Sequence, residues 1–167
     1  MNNQIVLDDM KKTDWNQVYH IFNEGIQTGN ATFETEAPTW ESWDRDYFSV
    51  CRLVAQKGQE VVGWAALTPI SKREAHCGAA EVSIYISSTS TGNGVGTKLL
   101  ERLVDVSEEC GFWSLEADIF KENESSILLH KKCGFREVGT RRRLGKLNGV
   151  WRDVVILERR SDVVGMD

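Results

Sequence analysis

The sequence predicts an α/β or α+β domain built on a mixed sheet. Three observations carry that prediction. Strand-like and helix-like segments follow one another in the order β-α-α-β-β-β-α-β-α-β-β. At the centre, the run "AEVSIYI" (80–86) passes through a glycine-rich loop and a leucine-rich segment into "WSLEADI" (113–119), the arrangement of a right-handed parallel crossover. At the end, Asn148-Gly149 stands between "FREVGTRRRLGKL" and "VWRDVVILE", a strong two-residue hairpin signal.

Taken in order, "QIVL" (4–7) is a short first strand. The segment "TDWNQVYHIFNEGI" places Val18, Ile21, Phe22 and Gly25 at helical spacing, with Asp14 and Gln17 in the pattern of a capping box. "QTGNATFETEAPTW" is a polar loop, and "TWESWDRDYF" reads as a short helix capped by Thr39. "VCRLVA" and "EVVGWAAL" form a hairpin around "QKGQ", and 69–79 is a second loop. In 80–86, Val82, Ile84 and Ile86 share one face; Glu81, Ser83 and Tyr85 share the other. Val95, Leu99, Leu100, Leu103, Val104 and Cys110 describe a helix stopped by Gly111. "NESSILLHKKCGF" begins at a capping Asn123 and ends at Gly134, with Phe135 placed for the apolar contact of a Schellman cap.

At 167 residues the chain fits one domain, 1–167, with a core from about 4 to 158 and an unstructured tail at 159–167. A net charge of −5 argues against a general nucleic-acid binder, and the basic block "RRRLGK" (141–146) reads first as a solvated strand face. No apolar run approaches the ~20 residues of a membrane span, and "MNNQIVLDDMKK" lacks the apolar core of a signal peptide. Cys51, Cys77, Cys110 and Cys133 are widely spaced and read as reduced thiols, with no C-x-x-C pair or histidine cluster to hold a metal. These features point to a cytoplasmic protein without a metal centre.

The loop "GNGVGTKLL" narrows the function. A nucleoside-triphosphate loop requires G-x-x-x-x-G-K-[ST], and here Thr97 precedes Lys98. A dinucleotide fingerprint requires G-x-G-x-x-G, and neither Gly92 nor Gly94 starts one. What remains is G-x-G-x-G entering a helix straight from a strand. Free backbone N–H groups and the positive end of the helix dipole converge there, a suitable seat for a pyrophosphate. A plain structural turn is the alternative.

With its neighbours the loop acquires a family resemblance. "GNGVGTKLL" after "VSIYI", followed by "NESSILLHKKCGF" and a closing antiparallel pair, resembles the GNAT superfamily of acetyl-CoA-dependent N-acetyltransferases. "GNATFETEAPTW", "EVSIYI", "NESSILLHKKCGFREVGT" and "WRDVVILE" are similar to its phosphinothricin acetyltransferase-like branch, over roughly Ile5 to Glu158. Thr91 stands where the superfamily loop usually has Arg or Gln, and Asn93 where a basic residue is usual, so backbone amides carry the pyrophosphate with less side-chain help. Ala75-His76-Cys77-Gly78-Ala79-Ala80-Glu81 keeps the branch's glutamate but lacks its usual Tyr and Thr.

The resemblance implies a single-domain, mostly antiparallel sheet of about seven strands flanked by helices, with acetyl-CoA as co-substrate. It implies a small amino-acid-like amine as acceptor (phosphinothricin, methionine sulfone or methionine sulfoximine) and a homodimer. Glu81 is then the base that frees the amine's lone pair, and His130 the group that protonates the leaving thiolate or orients the site. The backbone of Ile84, Tyr85 and Ile86 is expected to pair with the pantetheine arm and to supply the oxyanion donor. Gly92, Asn93, Gly94, Val95, Gly96 and Thr97 would hold the pyrophosphate, and Asn123 would reach the cofactor. Phe33, Glu34 and Arg73 are the acceptor-side candidates, Arg73 as a clamp for a carboxylate or phosphinate. Two other readings compete: transfer to a protein or peptide amine, and a non-catalytic acyl-CoA-binding module.

Overall fold

A computed structural model describes residues 4–167. Seven strands, β1 (Ile5–Asp9), β2 (Leu53–Lys57), β3 (Glu60–Pro69), β4 (Ala79–Ile86), β5 (Ser114–Phe120), β6 (Arg136–Leu147) and β7 (Val150–Arg160), form one sheet in the order β1-β2-β3-β4-β5-β7-β6. Four helices, α1 (Trp15–Gln27), α2 (Trp40–Asp46), α3 (Val95–Glu109) and α4 (Glu124–Lys132), cover it. All neighbouring strands are antiparallel except β4 and β5, which α3 joins as the predicted parallel crossover.

The period-two alternation of β4 is what divides the core. Val82, Ile84 and Ile86 face a cluster with Leu99, Leu100 and Leu103 of α3 and Ile127 of α4. Tyr85 faces the opposite cluster, which holds Val18 and Phe22 of α1 and Trp43 of α2. There its ring stacks on Phe22 and on Trp64 of β3, with centroids 4.9 Å apart in each pair. At about 2–3 kcal/mol for each fully buried large apolar side chain, these two layers fix the register of β4. A one-residue slip would exchange them.

Several local signals act as the sequence suggests. The Thr39 side chain accepts from the Ser42 amide at the start of α2. Asn148 and Gly149 both take positive φ, 49° and 79°, as a tight hairpin between β6 and β7 requires. The C-terminus of α4 is a Schellman motif: the Phe135 amide donates to the His130 carbonyl, and the Gly134 amide to that of Lys131.

Two expectations need correction. Asp14 and Gln17 do not form a capping box. A 3-10 turn at Lys12–Asp14 precedes α1, so Asp14 accepts instead from the Lys11 amide, and Gln17 is drawn away to accept from the Val61 amide of β3. The C-terminal tail is not loose. β7 continues to Arg160, and the Arg160 guanidinium donates to the carbonyls of Ser161, Val164 and Gly165, folding 161–165 over Trp113 with Ser161 buried.

Candidate active site

The site begins as a defect in the sheet. β4 and β5 pair only from Ala79↔Ser114 to Glu81↔Glu116 and then separate. The Ser87 amide donates to Val62 on the β3 side, whereas the Gly78 carbonyl accepts from the Trp113 amide on the β5 side. Alternation therefore aims the main-chain groups of Val82, Ile84 and Ile86 into the opening, where no strand among the described residues meets them. Tyr85 departs from the expectation placed on its backbone: its amide faces β3, although the residue borders the cleft. An amide-bearing ligand can extend the sheet at the free edge, since unpaired backbone groups there are costly to bury otherwise.

The opening widens into a cleft of about 330 Å³ between β4, β5, α4 and the loop 31–34. Glu81 stands at its closed end, on the face of β4 away from α3. The parallel register sets Glu116 opposite it, and alternation along β5 brings Asp118 to the same face. Burial, reinforced by the Asp118 charge, pushes Glu81 up to about 7, and the same two causes bring Glu116 to about 7. A carboxylate tuned to neutral pH is suited to take a proton from an amine and to release it again. Glu116 and Asp118 escaped the sequence reading. The alternation of "LEADI" places them on one face, but only the strand register brings that face to Glu81. Ser83, two residues from Glu81 on the same face, shares a hydrogen bond of 3.0 Å with the Tyr47 hydroxyl.

His130 enters from α4 on the other side. It is 2% exposed, and its ring packs edge-on against Phe135, the residue that the Schellman turn folds back onto it. Nδ1 lies 2.7 Å from the Ser126 carbonyl, which can only accept, so Nδ1 carries the proton and Nε2 presents a lone pair. Burial lowers its pKa, keeping the ring neutral. Nε2 is buried with no hydrogen-bond partner among the described residues. With its proton on Nδ1 the ring offers an acceptor at Nε2, which bears on the two roles expected of His130, protonating the thiolate or orienting the site.

Asn123 borders the same cleft and caps α4, its Oδ1 accepting from the Ser126 amide. Its Nδ2 donates to the Asn30 carbonyl, joining α4 to the loop that carries Phe33 and Glu34. That loop is fixed from below by Arg152 of β7. The Arg152 guanidinium donates to the Gly29 carbonyl at 2.7 Å and to Asn30 Oδ1 at 2.6 Å, pairs with Glu122 at 3.2 Å, and lies 4.1 Å from the centre of the Phe120 ring. No local pattern announces this residue, because its loop partners, Gly29 and Asn30, lie more than 120 positions away. Of the three acceptor-side candidates, Phe33 and Glu34 line the cleft; Arg73 does not, and sits on the exposed loop before β4.

The glycine loop at the far end of β4 divides its labour. Gly92 and Gly94 have φ of 78° and 76°, and a β-carbon on either would meet open space, so conformation and not crowding requires glycine there. Gly94 is the N-cap of α3, without a side-chain cap, leaving the amides of Val95, Gly96 and Thr97 turned outward. Gly96 is a packing glycine: a β-carbon would come within 3.1 Å of Leu129 on α4. Asn93 lies between the two left-handed glycines. Ser88, at the start of the loop, is tied to α1 through its amide and the Glu24 carboxylate at 2.9 Å.

Known proteins share this arrangement. The Acetyltransferase (GNAT) family pattern matches residues 15–135. The phosphinothricin N-acetyltransferase of Streptomyces coelicolor is 30% identical over 147 residues, covering 83% of this chain and 86% of its own. An L-methionine sulfoximine/L-methionine sulfone acetyltransferase of Salmonella typhimurium is 30% identical over 110 residues, 66% of this chain and 64% of its own. The crystal structure of a GNAT superfamily phosphinothricin acetyltransferase from Sinorhizobium meliloti, in complex with acetyl-CoA, superposes with a TM-score of 0.84 at 29% identity, covering 100% of this chain and 97% of that one. The split between β4 and β5, the glycine turn beyond it and these likenesses agree: the chain belongs to the GNAT acetyltransferase family.

Proposed function

We propose that the protein transfers the acetyl group of acetyl-CoA to the primary amine of a small amino-acid-like acceptor, of the phosphinothricin, methionine sulfone or methionine sulfoximine type, by direct attack with both substrates bound. One observation carries this reading: the free edge of β4 runs from Glu81, at the closed end of the cleft, to the outward amides that begin α3. A thioester held along that edge meets an amine held beside Glu81. The acceptors named for the relatives support an amino-acid-like amine.

The residues suit acetyl-CoA. The open positions beside Gly92 and Gly94 admit a pyrophosphate to the amides of 93–97, and the outward groups of Val82, Ile84 and Ile86 suit the amides of the pantetheine arm. Acetyl-CoA supplies an activated acyl group whose carbonyl gains negative charge as nitrogen attacks. A main-chain N–H of Val82, Ile84 or Ile86 is the donor for that charge.

Glu81 does the proton work. An ammonium has no lone pair, so its first proton passes to the Glu81 carboxylate, directly or through a water. The nitrogen then forms the new C–N bond, the C–S bond breaks, and the second proton leaves the nitrogen for the departing thiolate. Products are the amide, CoA thiol and one proton held by Glu81. The cleft assists arrival of the ammonium, because Glu34, Glu81 and Asp118 line it and no Lys or Arg does among the described residues. His130, its ring fixed by the Ser126 carbonyl, serves to orient the site.

Free thiols at Cys51, Cys77, Cys110 and Cys133 support a cytoplasmic setting, and the exposed apolar residues Val138, Val150 and Trp151 on the outer hairpin support a homodimer. The test is a panel of small primary amines assayed with acetyl-CoA for CoA release, with phosphinothricin and methionine sulfone included. Turnover of amino-acid-like members is expected. Turnover of none would overturn the proposal.

A further inference from the structure

We infer that, among amino-acid-like acceptors, the cleft prefers an uncharged, largely hydrocarbon side chain to the anionic one of phosphinothricin, and that Leu144, brought to the cleft by a bulge in β6, makes that selection. The inference rests on reading the cleft as the acceptor site.

The bulge is a built feature. β6 pairs with β7 as far as Arg141↔Val154 and resumes at Gly145↔Arg152, so residues 142–144 stand against Asp153 alone. Arg143 takes a left-handed φ of 48°, and its amide donates to Asp153 Oδ1 at 2.8 Å, which holds the bulge in place. Gly145 completes it: a β-carbon there would come within 3.0 Å of the Phe33 ring, so the strand closes onto Phe33 only with glycine. Bulges of this kind re-aim side chains beside active sites.

The residue re-aimed here is Leu144. It lines the cleft with Phe33, Phe120 and Val154 while remaining 47% exposed, so a ligand can still cover it. Phe33 meets Phe120 edge-to-face at 4.7 Å, giving that wall a rigid aromatic corner. The cleft therefore has two unlike parts, carboxylates around Glu81 and an apolar wall under the bulge. An acceptor whose ammonium faces the first turns its side chain toward the second. An anionic side chain would add a second negative charge, beyond the α-carboxylate that every such acceptor carries, to a cleft lined by carboxylates and hydrocarbon with no lysine or arginine among the described residues. A straight hydrocarbon or thioether chain would cover Leu144 and the aromatic corner.

The experiment measures kcat/KM for alanine, 2-aminobutyrate, norvaline and norleucine, with phosphinothricin as the anionic comparator. All five share the α-amine and α-carboxylate, so only the side chain varies. The expected result is a rise of roughly two- to fourfold for each added methylene, with norleucine ahead of phosphinothricin. Leu144→Ala should compress the norleucine-to-alanine ratio by about fivefold, and Leu144→Asp should compress it further. A flat or falling series, phosphinothricin ahead of norleucine, or an unchanged ratio in both variants would each overturn the inference while leaving acetyl transfer to amines intact. Turnover of none of the five would remove the amino-acid-like acceptor itself, and the inference with it.

Discussion

The two halves of β4 share one ladder with β3 and do different work. From Ala79 to Glu81 the strand is paired on both sides, to β3 and to β5. From Val82 to Ile86 the β3 ladder continues while the β5 side is bare. Apolar packing continues through the second half, where Val82, Ile84 and Ile86 contact the α3 core and Tyr85 the opposite one. The difference that matters to a ligand lies in hydrogen bonding. A sheet that is complete in its packing but incomplete in its ladder keeps a rigid frame and leaves main-chain groups for a ligand. Glu81, the proposed base, stands where the second ladder stops.

Proline substitutions break that comparison most sharply. Tyr85→Pro removes an amide on the β3 side, within a paired and buried strand, and should cost about 3 kcal/mol or more, enough to abolish cooperative folding in a marginal domain. Ile84→Pro removes an amide on the open side. It should leave a cooperatively folded protein that has lost acetyl transfer, read by thermal denaturation beside CoA release. Equal destabilisation by both would deny that the two edges differ. A smaller effect is expected at the end of the open edge. Gly94→Val forces a β-branched residue into φ of 76°, and by turning the α3 amides aside should weaken CoA binding about 100-fold, about 2.8 kcal/mol by calorimetry, with circular dichroism unchanged. Unaltered affinity would reduce the loop to a corner in the chain.

How much of this the sequence discloses depends on how local each cause is. The Schellman end of α4, the Asn148-Gly149 hairpin and the two faces of β4 are set by residues close in sequence, and all three are legible there. Glu81, His130 and the glycine loop are legible as residues through the family resemblance. Their settings are not. The pairing of Glu81 with Glu116 and Asp118 needs the parallel register. The protonated nitrogen of His130 is fixed by the Ser126 carbonyl one helical turn back, and only the packed ring settles its direction. The Asp14–Gln17 pattern is legible and misleading, because a tertiary partner, the Val61 amide, outcompetes the helix end for Gln17. The bulge at 142–144 and the Arg152 tether have no local signature. Both answer to a neighbouring strand or loop, where period and propensity say nothing.

The account turns on Glu81 as the base at the closed end of the cleft, and the pH dependence of kcat/KM in wild type and Glu81→Gln tests it most directly. Because the Glu81 pKa is raised to about 7, the carboxyl is protonated and unable to act as base below that value, and the wild-type rate should climb as pH passes through about 7. Glu81→Gln should lose that limb, run about 100-fold slower or more at pH 8, and climb only toward the acceptor's own pKa, with acetyl-CoA affinity unchanged. A variant that keeps both the rate and the limb near 7 would contradict the account.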